Sequence, residues 1–178
     1  AIGSGGLSVI NNGSVIRLVS GEQVNNSAAV AIDDSGFLEL ADFTETTGPV
    51  TFTQTSSSQC GAIRTGSTGT LVLNGNLTFN NNTDNNSTTD ARNVLITGTG
   101  TKSTPTTTGT LDLGGVTRTI LVTTTTVGAN EPNANATIET RVINGGILKT
   151  GPRTLHLTNP NNTFAGGLQI AQGTVRPG

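Results

Sequence analysis

Apolar and polar residues alternate in short stretches along the whole chain. In each stretch every second residue is Leu, Val, Ile or Phe, which is the pattern of a strand with one buried face. No long stretch keeps the apolar spacing of an amphipathic helix, and the Thr- and Asn-rich segments between strands are poor helix formers. The sequence therefore predicts an all-β fold with essentially no α-helix. The clearest alternating stretches are residues 7–9, 37–40, 50–52, 71–73, 77–79, 111–113, 155–157 and 168–170.

The predicted strands also resemble one another. Leu38, Leu71, Leu111 and Leu155 each lie in a Leu-x-Leu strand after a turn-forming segment, and the polar spacers between them vary in length. A strand coil cannot bury its apolar face alone, but coils stacked on it can, and insertions then loop out sideways. A propeller or a sandwich does not explain repeats that drift in length. The pattern favours a parallel β-helix, that is, a β-solenoid.

The two ends of the chain are similar in sequence. The segment from Gly5 to Val15 resembles the segment from Gly166 to Val175, and neither has the polar character of a solenoid cap. Residues 1–178 are thus expected to form a single β-solenoid segment of a longer or stacked chain. At roughly 20 residues per coil we expect eight or nine coils and a rod of about 40 Å.

Residues 145–175 carry a more specific pattern. It begins with Leu148-Lys149-Thr150-Gly151, continues through a Leu-x-Leu strand to Asn162-Thr163-Phe164, and then has the double glycine Gly166-Gly167. This segment resembles the autotransporter passenger-associated repeat of bacterial surface proteins, from which it departs at Pro152-Arg153 and at Phe164, where tyrosine is common. The resemblance implies a right-handed parallel β-helix that is exported and has a surface or matrix role, and it implies no catalytic activity.

Composition and charge exclude several partners. Charged residues make up 11% of the chain, the net charge is −2, and the few Lys and Arg residues do not cluster. Binding to nucleic acid or to an anionic membrane surface is therefore not expected. No apolar run approaches the roughly 20 residues of a membrane span, and the single cysteine, Cys60, excludes an intrachain disulfide. The remaining candidate partners are a second copy of the chain and glycans.

The densest acidic group is Asp33-Asp34 with Glu39 and Asp42 nearby. Parallel β-helices also house polysaccharide lyases and hydrolases that use clustered carboxylates or calcium. However, Asp33-Asp34-Ser35-Gly36 is typical of a turn before a strand, because Asp tolerates a left-handed backbone and bonds its own main chain. We favour the turn interpretation, and we predict no catalytic residue, cofactor or metal ligand.

Other polar residues have structural interpretations as well. His156, the only histidine, is expected on the outward side of its strand, and Cys60 is expected to be buried. Asn side chains are expected to form hydrogen bonds within turns, although the chain has many Asn-x-Ser/Thr glycosylation triplets. These triplets begin at Asn12, Asn25, Asn76, Asn81, Asn85, Asn86, Asn135 and Asn161.

Three functional hypotheses follow. The leading one is a non-enzymatic extracellular structural protein of the bacterial surface or matrix, either a β-solenoid stalk or a fibre that assembles with itself end to end or laterally. The alternative is an adhesin that binds a glycan or a host surface through its polar loops. A polysaccharide lyase or hydrolase is the third.

Overall fold

The structure is a computed structural model that describes residue 2 and residues 5–10, 13–55, 61–81, 95–99, 107–123 and 135–178. Across these residues all regular secondary structure is β-strand, and every strand pairing is parallel. The predicted all-β fold is therefore confirmed. No helix in the described part of the chain is long and apolar enough to cross a membrane.

The strands are short because Gly- and Asn-containing turns interrupt the alternating stretches after a few residues. In chain order the strands are β1 Leu7–Val9, β2 Val15–Arg17, β3 Val30–Asp33, β4 Phe37–Glu39, β5 Thr44–Thr47, β6 Val50–Gln54, β7 Ala62–Arg64, β8 Thr70–Leu73, β9 Leu77–Asn81, β10 Leu95–Thr97, β11 Thr110–Asp112, β12 Thr117–Thr123, β13 Asn135–Ile138, β14 Arg141–Ile143, β15 Gly146–Thr150, β16 Thr154–Leu157, β17 Leu168–Ile170 and β18 Thr174–Pro177.

The strands form three parallel sheets that the chain visits in turn. The first sheet has the order β1-β3-β6-β9-β12-β15-β17, the second β2-β4-β7-β10-β13-β16-β18, and the third β5-β8-β11-β14. Each pass through the sheets adds one strand beside its predecessor, and we call one such pass a tier. This winding is that of a parallel β-solenoid, and its right-handed sense stays a prediction.

The core consists of apolar rows that run from tier to tier. Because strand registers match, each inward side chain stacks on its counterpart in the next tier, and burial of each large side chain contributes about 1.5–3 kcal/mol. In the first sheet the rings of Phe52 and Phe79 stack with centroids 5.0 Å apart. The two inward rows there are Leu7, Val30, Val50, Leu77 and Ile120, and Val9, Ile32, Phe52, Phe79 and Val122.

The glycines that precede the first and the last strand of the first sheet share a backbone conformation. Leu7 and Leu168 both begin a strand of the first sheet, and the glycine before each, Gly6 or Gly167, has a φ of 82°. A φ in this range is left-handed, which glycine adopts without strain. The two turns are nevertheless offset by two residues in register, because the row that begins with Leu7 ends with Ile170.

One sequence-based expectation needs correction. Leu71 and Leu111 do pair in the third sheet, but Leu38 and Leu155 lie in the second sheet, so the four are not equivalent positions of one repeat. Leu-x-Leu segments occur in both the second and the third sheet, and the pattern alone does not identify the sheet. The described residues form seven tiers in the first sheet, and the expected eight or nine coils of the whole chain stay a prediction.

Candidate functional site

The acidic residues singled out in the sequence hold turns in place. The Asp34 carboxylate accepts hydrogen bonds from the Thr55 backbone amide at 2.6 Å and from its hydroxyl at 2.7 Å. Asp42 accepts one from the Thr68 amide at 2.8 Å, and this hydrogen bond lowers the pKa of Asp42. Both aspartates have a left-handed backbone, with φ of 43° and 70°. The turn interpretation therefore agrees with the geometry of Asp34 and Asp42.

Glu39 belongs to a row of charges on the outer face of the second sheet. Its carboxylate accepts a hydrogen bond from Arg64 at 3.0 Å and lies 3.9 Å from the more exposed Arg17. The Arg64 guanidinium also lies 4.0 Å from the centre of the Phe37 ring. These groups compensate one another and stabilise adjacent tiers by a cation–π contact and an ion pair. Asp33 lies on the first sheet, in register with Thr53, so the structure does not bring the four acidic residues into one site.

His156 projects outward between the buried Leu155 and Leu157, as predicted. It is half-buried, and in register it lies between Thr137 and Arg176. Desolvation, with a smaller contribution from the charge of Arg176, lowers the pKa of His156. Among the described residues no group of three or more His, Cys, Asp and Glu side chains is arranged to hold a metal. Cys60 lies outside the described residues.

Sequence reasoning missed the charged residues inside the solenoid. Lys149 is 0% exposed and occupies an inward position between Ile120 and Ile170. Its ammonium group donates to the carbonyl oxygens of Thr150, Gly151 and Gln172 at 2.6, 2.8 and 3.1 Å. Desolvation lowers the pKa of Lys149 to about 8. The available sequence signal was spacing. Lys149 lies two residues after Ile147 in the same strand, so both side chains point inward.

Lys149 has counterparts at the other two corners of the tiers. Where the chain enters the first sheet, Arg118 donates to the carbonyl oxygens of Leu113 and Leu73 at 2.9 and 2.6 Å. Where it leaves the second sheet, the Asn159 amide donates to those of Thr107 and Glu139 at 2.7 and 3.0 Å. We call Arg118, Lys149 and Asn159 the corner donors. Each corner donor forms hydrogen bonds with carbonyl groups of different tiers, so these side chains stabilise the contact between neighbouring tiers.

Glu45, on the inner face of the third sheet, is a hydrogen-bond acceptor, in contrast to the corner donors. This carboxylate is fully buried and accepts hydrogen bonds from the backbone amides of Gln23 and Val24 at 2.8 and 2.9 Å. Desolvation raises the pKa of Glu45, while the two hydrogen bonds oppose this effect. Glu45 thus supplies acceptors to the preceding tier at a position where the strand pairing of the third sheet has not yet begun.

Two of the open surfaces on the described residues bear on binding. The first is a polar groove of about 790 Å³ along the entry to the third sheet, which contains the exposed Arg141. The second is the apolar face of the last tier, which encloses about 280 Å³ beside Phe164, Leu168, Ile170 and Val175. Leu168 and Ile170 are 41% and 51% exposed there, although they continue the inward rows of the first sheet.

Comparison with known proteins is informative for the segment that forms the apolar face of the last tier. No curated protein and no solved structure matches the chain. The family model of the passenger-associated-transport-repeat matches residues 147–176, which covers β16, β17 and most of β15 and β18. This match indicates a secreted or surface-exposed protein. Residues 147–176 thus confirm the resemblance to the autotransporter passenger-associated repeat that was predicted for residues 145–175.

Proposed function

We propose that this chain is a non-enzymatic structural segment of a protein at the bacterial surface or in the extracellular matrix, where it forms a fibre by stacking end to end. The passenger-associated repeat supports export, and the buried charges described above serve backbone hydrogen bonds between tiers. The observation that carries the proposal is the in-register parallel pairing of seven strands in the first sheet, a stack that a further parallel strand can extend.

The two ends of the solenoid support stacking of one copy on another. Among the described strands, β1 and β17 each pair on one edge alone, which leaves a row of backbone donors and acceptors on the other edge. Among the described residues, large exposed apolar side chains are found in the first tier, in the last tier and at two positions between them: Ile10, Val15, Val19, Leu168, Ile170, Phe43 and Val116. A contact between two different ends does not close on itself and generates an open filament.

Electron microscopy and multi-angle light scattering of the purified chain test this proposal. We expect mass and particle length to increase with concentration in steps of one chain. Leu168→Glu should abolish stacking, because it places a carboxylate in an apolar junction where nothing pairs with it. Gln169→Glu is the matched control, since it adds the same charge at the neighbouring outward position, and it should still stack.

The results separate the alternatives clearly. A chain that stays monomeric at all concentrations would overturn the stacking proposal, as would fibres that form equally well in Leu168→Glu. Fibres that Gln169→Glu abolishes as completely as Leu168→Glu would point to lateral association through the outer face of the first sheet, and would also contradict end-to-end stacking.

The polar groove favours a second candidate function, that of an adhesin. Its lining presents Thr and Asn side chains to solvent over several tiers, and these groups can bond the hydroxyls of a glycan. A stalk and an adhesin are compatible in one molecule because the groove lies on the side of the solenoid. A screen of the chain against a glycan array tests this candidate, and a complete lack of binding would eliminate it.

A further inference from the structure

The polar groove runs across several tiers at one edge of the third sheet. Thr70, Thr110 and Arg141 follow one another in register along this edge, and the turn after β16 continues it. At a spacing of about 4.8 Å per tier, an extended ligand lying along the groove meets a new set of side chains with each tier. The lining residues are Thr68, Thr107, Gly109, Thr110, Arg141, Asn159, Pro160, Asn161, Asn162 and Thr163.

Among the described residues that line the groove, Arg141 is the only charged one. Its side chain is exposed, and its guanidinium has no ion pair with the carboxylates of the described residues, whereas Arg17 and Arg64 both lie against Glu39. The guanidinium presents a planar fork of donors that matches a carboxylate in a bidentate geometry. The guanidinium of Arg141 therefore lies in a polar cleft to which the described residues contribute no carboxylate.

The walls of the groove are held in place before any ligand arrives. Asn159 is buried and bonds the Thr107 carbonyl oxygen, while its own oxygen accepts the Asn161 amide at 2.9 Å. The Asn162 side-chain oxygen accepts the Val142 amide at 2.8 Å. These side chains already form hydrogen bonds within the folded chain. Ligand binding therefore has to order few additional groups and loses little conformational entropy.

We infer that this groove binds an acidic saccharide, with a uronate carboxylate on the Arg141 guanidinium and sugar hydroxyls on the threonine and asparagine groups around it. Hydroxyl and side-chain amide groups that both donate and accept suit a polyhydroxylated ligand, and the single arginine selects an anionic unit. The described lining residues include no aromatic side chain, so the groove favours recognition by hydrogen bonds and charge over stacking on a sugar face.

Calorimetric titration with a tetramer of galacturonic acid tests the inference. The tetramer should bind at one saturable site, and its fully methyl-esterified counterpart should bind at least about tenfold more weakly, since the ester removes the charge. Arg141→Gln should weaken binding of the acidic tetramer by about tenfold or more and leave the melting temperature unchanged, because its side chain is exposed. Arg17→Gln, which removes the same charge from an exposed position on the second sheet, should bind like the parent chain.

Several outcomes would overturn the inference. They are an acidic tetramer that does not bind, an ester that binds as well as the acid, or equal losses in Arg141→Gln and Arg17→Gln, which would indicate general charge attraction. The inference is independent of fibre formation, because neither arginine lies on the apolar face of the last tier. Microscopy of Arg141→Gln should therefore show the same particles as the parent chain.

Discussion

Buried polar side chains in this protein act as partners for the backbone of neighbouring tiers. Lys149 and Glu45 occupy inward positions that an aliphatic residue fills elsewhere, yet each carries hydrogen bonds that main-chain groups would otherwise lack. An unbonded polar group in a core costs about 1–3 kcal/mol, so these interactions compensate for the desolvation of the two charges. Both charged groups therefore belong to the architecture of the core.

The lowered pKa of Lys149 predicts how stability depends on pH. Between the folded pKa of about 8 and the ordinary value of 10.5, the unfolded chain holds a proton that the folded chain has lost. The free energy of unfolding should therefore rise with pH across this window, by up to about 3 kcal/mol. Urea unfolding of the parent chain and of Lys149→Met at several pH values measures this contribution as the difference between the two.

The composition of the chain simplifies the interpretation of this comparison of unfolding stability at several pH values. It has no tyrosine, so alkaline titration involves few groups, and those shared by parent and variant cancel in the difference. Parallel pH profiles for the two proteins would show that Lys149 keeps its ordinary pKa in the folded state.

At the scale of the strands and turns, the corner after β15 is tightly constrained. Gly151 has a φ of 79°, and an added Cβ would contact the Val122 carbonyl oxygen and lie 2.7 Å from the Leu121 Cδ1 atom. Gly167 has a φ of 82°, but nothing lies within 4 Å of the position that its Cβ would occupy. The two glycines therefore share a backbone conformation and differ in crowding.

This difference predicts unequal costs for the same substitution. Gly167→Ala should lower the free energy of unfolding by about 1 kcal/mol, which is the cost of the left-handed backbone. Gly151→Ala should cost about 3 kcal/mol or more, because the methyl group also displaces the neighbouring tier. Chemical denaturation measures both variants, and equal losses would mean that the corner moves freely to accommodate a side chain.

The sequence predicted the strands whose inward residues are apolar. Alternation in residues 50–52 and 155–157 identified β6 and β16 because Val, Phe and Leu point inward there. It did not identify β5, whose inward residues are Glu45 and Thr47, because the groups that bond Glu45 lie in the preceding tier. The groove around Arg141 was also beyond prediction, since it depends on which turns stack at one edge.

At the scale of the whole molecule, stability is a sum over neighbouring tiers. Each strand in the middle of a sheet pairs on both edges, whereas β17 and β18 pair on one edge and leave apolar side chains exposed. In such a one-dimensional stack the terminal units open more readily than the central ones.

Hydrogen exchange followed by mass spectrometry tests this gradient. Backbone amides of β17 and β18 should exchange faster than those of β6 and β9, which lie between paired strands and hold the stacked Phe52 and Phe79. Under conditions where copies stack, protection of β17 should increase. Uniform exchange across all tiers would show instead that the solenoid unfolds as one cooperative unit.

The parallel pairing of every tier has a mechanical consequence. Successive tiers are joined by hydrogen bonds that point along the direction of stacking, so a pulling force along that direction loads one pair of strands at a time. Tiers should then separate one after another at modest force, and the hydrogen bonds of the corner donors must also break as the tiers separate. A molecule built in this way lengthens gradually under tension and absorbs mechanical work before its attachment fails.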